Sequence, residues 1–429
     1  MCNVSQASLR IYTYIYKFSV CQRRIVKGTR THAQKRYMVY LVKARSSTET
    51  NDNFLCGGTL VTTSQILTSA ACIIRLDNLY AIAGYRKYVN GMDLENDNCT
   101  KHKKERIVKI RVPRGHLSHL REYANTSRWM ALDIGVATVE KPYDFQDVTF
   151  KIYCSYIPAA IQINYDTNLD KKIGTNVVAL GWGRDRGSRI RDLVDRNSET
   201  LKEVSIVIQK KDDCIKKFRG NGLAVLIEKF MLCTHGTGIL DGEGNVINEL
   251  DKAIYNACAD GQRPGHDQCK DFDDKVYANR RIRRPSVKQN ETGDINHLDR
   301  KINGSNVKHV FSRRQGICQF IFQNDHGGPL VTWVGTTELV IGVAVNGLYD
   351  VEYNCVGPYI FVSTSAAGLI LKCLLSDNVA TGKSCTHETT GGFDIFENVT
   401  RGYGDEALLR AQELTSDYDY SSVPQVVTL

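Results

Sequence analysis

Short apolar runs separated by turn residues dominate the hydrophobic pattern of the chain. These runs are rich in β-branched residues and too short for typical helices, so each of them predicts a β-strand. They recur at Tyr37–Val42, Thr59–Ser64, Ile107–Val112, Asn176–Ala179, Val204–Ile208 and Leu339–Val345. Helical periodicity is best developed at Ser365–Leu375, close to the end of the β-rich region. The pattern therefore predicts an all-β fold, a sandwich or a barrel, with a short helix near its C-terminal end.

Two segments interrupt this rhythm of strands. Residues 236–312 are polar, charged and rich in Gly and Asn, which is typical of a long surface insertion. The chain after Cys385 is acidic, and its composition predicts a tail that contributes little to a core. Within the insertion, Arg280–Arg284 is a basic cluster that fits a solvated loop, a processing site or a contact with a glycan.

Composition and charge narrow the class of protein. With 42% apolar and 24% charged residues among 429, the chain can form a sizeable core. The net charge of +9 allows attraction to heparin-like glycans but does not indicate nucleic-acid binding. No stretch approaches the roughly 18–20 apolar residues of a membrane span. Residues 1–22 lack the uninterrupted apolar core of a signal peptide, and we expect that this N-terminus is not the natural one.

The cysteines and glycosylation sequons indicate an extracellular protein. Fourteen cysteines are scattered along the chain without the spacing of a zinc site, as in a disulfide framework from an oxidising compartment. We therefore expect no metal and no cofactor. Asn-x-Ser/Thr sequons, which are candidate glycosylation sites in a secreted protein, occur at Asn3, Asn98, Asn125, Asn290, Asn303 and Asn398.

Six motifs then appear in a fixed order along the chain. They are RIVKG from Arg24, CGGTL from Cys56, LTSAAC from Leu67, DIGV from Asp133, GWG from Gly181 and NDHGGPLV from Asn324. Together they resemble the trypsin/chymotrypsin serine proteases (peptidase S1), in which the equivalents read RIVGG, CGGSL, LTAAHC, DIALL, GWG and GDSGGPL. The resemblance implies two six-stranded antiparallel β-barrels followed by a C-terminal helix.

The resemblance also sets the expected domain boundaries. Residues 1–24 would form a propeptide-like segment that ends at the activation site, and residues 25–375 the protease domain. The insertion at about 236–312 would lie within that domain, and residues 376–429 would form the acidic C-terminal tail.

The catalytic positions implied by the resemblance are altered in this chain. The family's aspartate corresponds to Asp133, but Ala71 stands at the position of the base and His326 at that of the nucleophile. The mechanism needs a hydroxyl and a neighbouring imidazole, and both are missing from their positions. In an alternative mechanism, His326 acts as a base on the Cys72 thiol. That thiol would not exist if Cys72 is bonded to Cys56, and we favour the Cys56–Cys72 disulfide. His116 and His119 are expected to be loop residues rather than displaced bases.

Other functional positions can be compared in the same way. Arg24-Ile25 has the form of the family's activation site, and Asp325 matches the residue that receives the new Ile25 ammonium in a buried ion pair. The backbone N–H groups of Asn324 and His326 correspond to those of the oxyanion hole. Retention of both parts of the activation switch predicts that the mature conformation is still used.

The resemblance implies part of the disulfide framework. The expected pairs are Cys56–Cys72, Cys214–Cys233 and Cys318–Cys355, whereas Cys258–Cys269 and Cys373–Cys385 are suggested by proximity in the sequence alone. Cys2, Cys21, Cys99 and Cys154 remain open, and Cys21–Cys154 is the expected link between the propeptide and the body.

These features predict a secreted, zymogen-like serine protease homologue that is not an enzyme. Its expected role is that of a binding module, a cofactor or decoy in a protease cascade, and its expected partner is a protease, an inhibitor or a cascade substrate. Two alternatives stay open. One is an active endopeptidase with a non-standard nucleophile and base, and the other is an extracellular protein that binds heparin-like glycans through Arg280–Arg284.

Overall fold

The computed structural model describes residues 29–31, 33–44, 55–74, 78–113, 132–183, 197–218, 223–247, 325–349, 355–376 and 395–399. All of these except Ile247 belong to one compact unit, Arg24–Val246 with Arg313–Leu429. The second unit, Met1–Arg23 with Ile247–Ser312, lies almost wholly outside the described residues. In the part of the chain that is described, no helix is long and apolar enough to cross a membrane.

Strands account for most of the regular structure, and the helices between them are short. The strands are β1 (Thr29–Arg30), β2 (Met38–Lys43), β3 (Leu55–Leu60), β4 (Gln65–Thr68), β5 (Leu79–Ala83), β6 (Glu105–Pro113), β7 (Gly135–Val139), β8 (Gln162–Ile163), β9 (Asn176–Gly181), β10 (Lys202–Ile208), β11 (Met231–Thr237), β12 (Pro329–Val334), β13 (Thr337–Tyr349), β14 (Cys355–Ser363) and β15 (Ile395–Val399). The helices are α1 (Ala70–Ile73), α2 (Asn98–Lys103), α3 (Phe150–Tyr153), α4 (Thr167–Lys171), α5 (Lys211–Lys217), α6 (Ala224–Phe230) and α7 (Gly368–Leu375).

The first barrel is a closed antiparallel sheet in the order β6-β5-β2-β3-β4-β7, with β7 pairing back onto β6. Its centre is filled by the side chains of Val39 and Leu41 from β2, Ile66 from β4 and Val112 from β6, which are all completely buried. Burial of such aliphatic side chains is the main stabilising contribution to a fold of this kind.

The second barrel has the order β10-β11-β14-β13-β12-β9, and β9 closes it by pairing with β10. Val177, Ile206 and Phe361 lie in its core. The two-residue strands β1 and β8 add to β10 and β13 outside this ring. Two closed six-stranded antiparallel barrels with a short helix, α7, confirm the predicted fold class.

The two barrels share an apolar interface. The rings of Tyr40 from β2 and Trp182 after β9 lie edge to face, with centroids 5.1 Å apart. Nearby, the buried Lys35 ammonium forms an ion pair with Glu338 of β13, which also accepts a hydrogen bond from Tyr37 Oη at 2.6 Å. The interface therefore combines close aromatic packing with a satisfied buried charge.

Two predicted elements differ from the structure. The predicted strand Thr59–Ser64 contains the turn between β3 and β4, because Thr62 Oγ1 accepts hydrogen bonds from the Ser64 and Gln65 amides and reverses the chain. The predicted helix Ser365–Leu375 begins later, at Gly368. Strand β11 runs two residues into the predicted insertion, and residues 248–312 of that insertion lie outside the described part.

The C-terminal segment contains a strand that was not predicted. β15 falls inside the predicted tail 376–429 and pairs antiparallel with β6, from Ile395 opposite Pro113 to Val399 opposite Lys109. The rest of the predicted tail after Ser376 lies outside the described residues. The boundaries predicted for the domains stay predictions.

Three disulfides are present in the described residues, and one of them corrects the sequence analysis. Cys56–Cys72 and Cys214–Cys233 are paired as expected. Cys154 is bonded to Cys99, so the predicted Cys21–Cys154 link is wrong. The reason is that α2 and α3 lie side by side, which brings the two Cα atoms to 4.8 Å. Cys373 is also disulfide-bonded, and the remaining cysteines of the predicted pairs, except for Cys355, lie outside the described residues: Cys258, Cys269, Cys318 and Cys385.

We expect the Cys99→Ser/Cys154→Ser variant to lose about 2–4 kcal/mol of unfolding free energy, because the bond closes a long loop in the unfolded chain. The bonded cysteines are 55 residues apart, against 19 for Cys214–Cys233. Loop-closure entropy then predicts a loss about 1 kcal/mol larger than for the matched Cys214→Ser/Cys233→Ser variant. Urea unfolding without reductant measures both, and the reverse ranking would contradict the entropic account.

Candidate functional site

Asp133 lies at the entrance to β7 and is completely buried. The residue before it, Leu132, has a φ of 52°, a left-handed conformation that is uncommon for a residue with a bulky side chain. The amide of Ile134 donates to the Leu132 carbonyl at 2.7 Å and closes a tight turn around Asp133. This turn fixes the backbone from which the Asp133 carboxylate projects, independently of the contacts that the side chain makes.

The N-terminus of α1 supplies two donors to one oxygen of Asp133. Ser69 Oγ donates to Oδ1 at 2.6 Å, and the backbone N–H of Ala71 donates to the same atom at 2.9 Å. Ser69 precedes the helix in an extended conformation, and its hydroxyl makes no capping bond. The side chain at the family's base position is a methyl group, and only the backbone of that residue reaches the carboxylate.

The imidazole of His326 reaches the other oxygen of the same carboxylate. His326 Nε2 lies 2.5 Å from Asp133 Oδ2, and the two side chains are 2% and 0% exposed. His326 belongs to the loop before β12, in the second barrel, whereas Asp133 precedes β7 in the first. An imidazole from the predicted nucleophile position therefore bonds to the carboxylate that the family's base would contact.

The loop that carries His326 is wedged between the barrels. Gly327 has a φ of 81°, and a Cβ atom there would lie 2.2 Å from Thr68 Oγ1 and 2.6 Å from the Gly57 carbonyl oxygen. The Gly57 amide donates to the His326 carbonyl at 2.8 Å, and the Gly327 amide donates to the Ala344 carbonyl at 2.9 Å. Only glycine fits this position, and the contacts on both sides hold the imidazole in place.

Asp325 lies in the same loop, and its carboxylate points toward the GWG motif. The Gly183 amide donates to Asp325 Oδ1 at 2.7 Å. A Cβ atom at Gly181 or Gly183 would come within 1.9 or 2.0 Å of this carboxylate, so both positions require glycine. Burial raises the pKa of Asp325 from 3.8 to about 7, against the opposing effect of hydrogen bonds from Gly183 and Trp182.

A buried carboxyl group with a raised pKa makes stability depend on pH. Between about pH 4 and pH 7 the unfolded chain has released this proton and the folded chain still holds it. We therefore expect the unfolding free energy to fall as pH rises through this window, by up to about 1.4 kcal/mol per pH unit. Comparing urea unfolding of uncleaved wild type and the isosteric Asp325→Asn variant isolates this group. A difference between them that does not change with pH would contradict the prediction.

The site gathers hydrogen bonds from Ser69, Ala71 and His326 around the buried Asp133 carboxylate. A general base needs a ring nitrogen that reaches the substrate, whereas the imidazole of His326 bonds to Asp133 through Nε2 and its side chain is only 2% exposed. Cys72 is held in its disulfide and is not available as a thiol. Among the described residues, no group of three or more His, Cys, Asp and Glu side chains could hold a metal ion.

Several predicted site residues cannot be placed. Arg24, Ile25, Asn324, His116 and His119 lie outside the described residues. The glycosylation candidates at Asn3, Asn125, Asn290 and Asn303 also lie outside them, as does the basic cluster Arg280–Arg284. Asn98 is exposed at the start of α2, and Asn398 is half-exposed in β15.

The trypsin family model matches residues 25–245, which is just over half of the chain. The chain belongs to the trypsin family. The match includes Ala71 and Asp133, whereas His326 lies outside it. The crystal structure of a scabies mite inactivated protease paralogue, S-D1, is similar at 14% identity and a TM-score of 0.43, covering 84% of this chain and 98% of that chain. None of the curated proteins matches the sequence.

The contact between His326 and Asp133 was not predicted from the sequence. The signal for it was present, because a buried carboxylate that lacks the family's imidazole needs another donor, and His326 is the histidine of the neighbouring motif. The role of Ser69 was also missed, since a serine in the LTSAAC motif carries no signal of its direction.

Proposed function

We propose that this chain is a non-catalytic member of the trypsin family that acts by binding another protein. The observation that carries the proposal is the buried bond between His326 Nε2 and Asp133 Oδ2. It engages the imidazole at the place where the family's chemistry needs a hydroxyl. Together with Ala71 at the base position, it supports a folded scaffold without proteolytic activity.

An extracellular location fits the same proposal. The described part contains three disulfides, which form and persist in oxidising compartments. Asn98 is an exposed sequon asparagine and a suitable glycan acceptor. The proposed partners are a protease, an inhibitor or a substrate of a proteolytic cascade, for which this chain would serve as a cofactor or a decoy.

Cleavage after Arg24 is the proposed control of this binding. The new ammonium of Ile25 would pair with Asp325, whose pKa of about 7 reflects the cost of burying its charge. A positive partner lowers that cost, so cleavage would favour the ionised carboxylate and tighten the loop of His326. Binding of the partner is then expected to differ between the uncut and the cut protein.

A pull-down from extracellular fluid tests the proposal, with the wild-type chain before and after cleavage at Arg24. The matched control is Arg24→Gln, which cannot be cut after residue 24 by a trypsin-like protease and keeps every other residue. The proposal is supported if a cascade protein is captured, and if the amount captured differs between the cut wild type and the control. Capture of no such protein in either form, or labelling of the cut protein by a fluorophosphonate, which reacts with activated serines, would contradict it.

A further inference from the structure

Among the described residues, the barrel strands leave part of one edge of β6 without a partner. Strand β7 pairs with β6 at residues 107–111, whereas β5 pairs only with Glu105 and Arg106. A strand has two edges, so β15 must lie on the edge that β5 leaves. Its register places Val399 opposite Lys109 and Ile395 opposite Pro113. Without β15, this edge of β6 from Lys109 to Pro113 would present unpaired backbone groups.

An acid-binding site is built into the barrel at the middle of this edge. Arg111 lies directly opposite Glu397, and its Nε donates to Glu397 Oε2 at 2.6 Å. Lys109 Nζ lies 3.2 Å from the same oxygen. The Arg111 side chain is 1% exposed, and its Nη1 also donates to the Leu374 carbonyl at the end of α7, at 3.0 Å. The guanidinium is thus held by the body of the domain and directed at the acid.

The remaining contacts of β15 are apolar but incomplete. Ile395 and Phe396 each pack against a core cluster while staying half-exposed. The strand has five residues, and β15 ends the sheet in the described part. A strand at the end of a sheet is hydrogen-bonded along one side only, so its release breaks one ladder of backbone bonds. Its attachment to α7 through residues 377–394 raises its effective concentration at the edge.

We propose that the edge of β6 from Lys109 to Pro113 is a binding site for an extended peptide of a partner protein. The peptide carries an acidic residue opposite Arg111 and apolar residues at the two positions before it, and Ile395–Val399 occupies the site in cis as an exchangeable strand. Backbone pairing supplies affinity in such strand addition, and the side-chain contacts supply specificity. Nothing in the proposed function requires this site, since it uses neither the nucleophile loop nor the activation segment.

The test uses the full chain with a sequence-specific protease site placed within residues 386–392, folded and then cut. A fluorescent peptide with residues 393–401 is added, and its anisotropy reports binding. We expect the cut protein to bind the peptide at least about tenfold more tightly than the uncut protein, whose own strand competes. A Glu397→Gln peptide should bind about tenfold more weakly, because a charged hydrogen-bond partner is lost.

A Lys109→Ser protein provides the matched control, since Lys109 is partly exposed and its loss should leave the barrel folded. The Lys109→Ser substitution should weaken binding of the wild-type peptide more than binding of the Glu397→Gln peptide. Absence of binding to the cut protein, or equal binding of both peptides, would overturn the proposal. If the cut protein unfolds on losing its strand, hydrogen exchange of the uncut chain tests instead whether β15 leaves the edge of β6. Amide exchange at Lys109–Val112 as slow as that of β2 would then exclude an exchangeable strand.

Discussion

Replacing His326 by alanine is expected to lower the unfolding free energy by about 3–5 kcal/mol, because it removes one partner of a buried charge-assisted bond. The Asp133 carboxylate would stay buried with the donors from Ser69 and Ala71, which both bond to Oδ1. An exposed histidine would cost little on removal, whereas the His326 side chain is 2% exposed. Urea unfolding near neutral pH measures the effect.

A double-mutant cycle separates this bond from the loss of packing. In the Asp133→Asn background, His326→Ala should cost much less, since the amide of Asn carries no charge to compensate. Additive losses in the two backgrounds would show that the imidazole stabilises the protein by filling space alone.

The Ala71→His/His326→Ser variant, cut after Arg24, is expected to react with a fluorophosphonate at least about 10³-fold faster than either single variant. The reason is that a nucleophile and a base act as a unit, so neither restores reactivity alone. Asp133 already occupies its place, and removing the imidazole of residue 326 frees Oδ2 for an imidazole at residue 71. The Cys56–Cys72 bond holds the segment that would carry it.

The single variants and an Asp133→Ala version of the double variant are the controls for this gain. Labelling rates followed by mass spectrometry identify the modified residue, which should be the new serine. Labelling at Ser69 in any variant would instead indicate a rearranged nucleophile. Failure of the double variant to react, with its folding verified by circular dichroism, would show that further substitutions also block the chemistry.

The barrels were predictable from the sequence because their signals are local. Apolar runs such as Val204–Ile208 mark strands by themselves, and the family's motifs set their order. The same motifs predict the catalytic aspartate at Asp133 and the two altered positions at Ala71 and His326, and these assignments stay predictions. Errors arose where a polar side chain decides the local structure, as at Thr62, whose hydroxyl turns the chain inside a run that is rich in β-branched residues.

The contacts that were missed join residues far apart in the chain. His326 and Asp133 are 193 positions apart, and Arg111 and Glu397 are 286 apart, so no local pattern indicates either contact. Cys99 and Cys154 belong to the same class, since cysteine spacing leaves the connectivity undetermined. In all three cases the contact forms because the fold brings two distant segments together.

The bond between His326 and Asp133 also has a mechanical meaning. It spans from the loop before β12 to the entrance of β7, and the Gly57 amide adds a backbone bond to the His326 carbonyl at 2.8 Å. Shearing one barrel past the other would therefore have to break a buried hydrogen bond between side chains. The bond thus opposes relative motion of the two barrels at the point where the loop before β12 meets the first barrel.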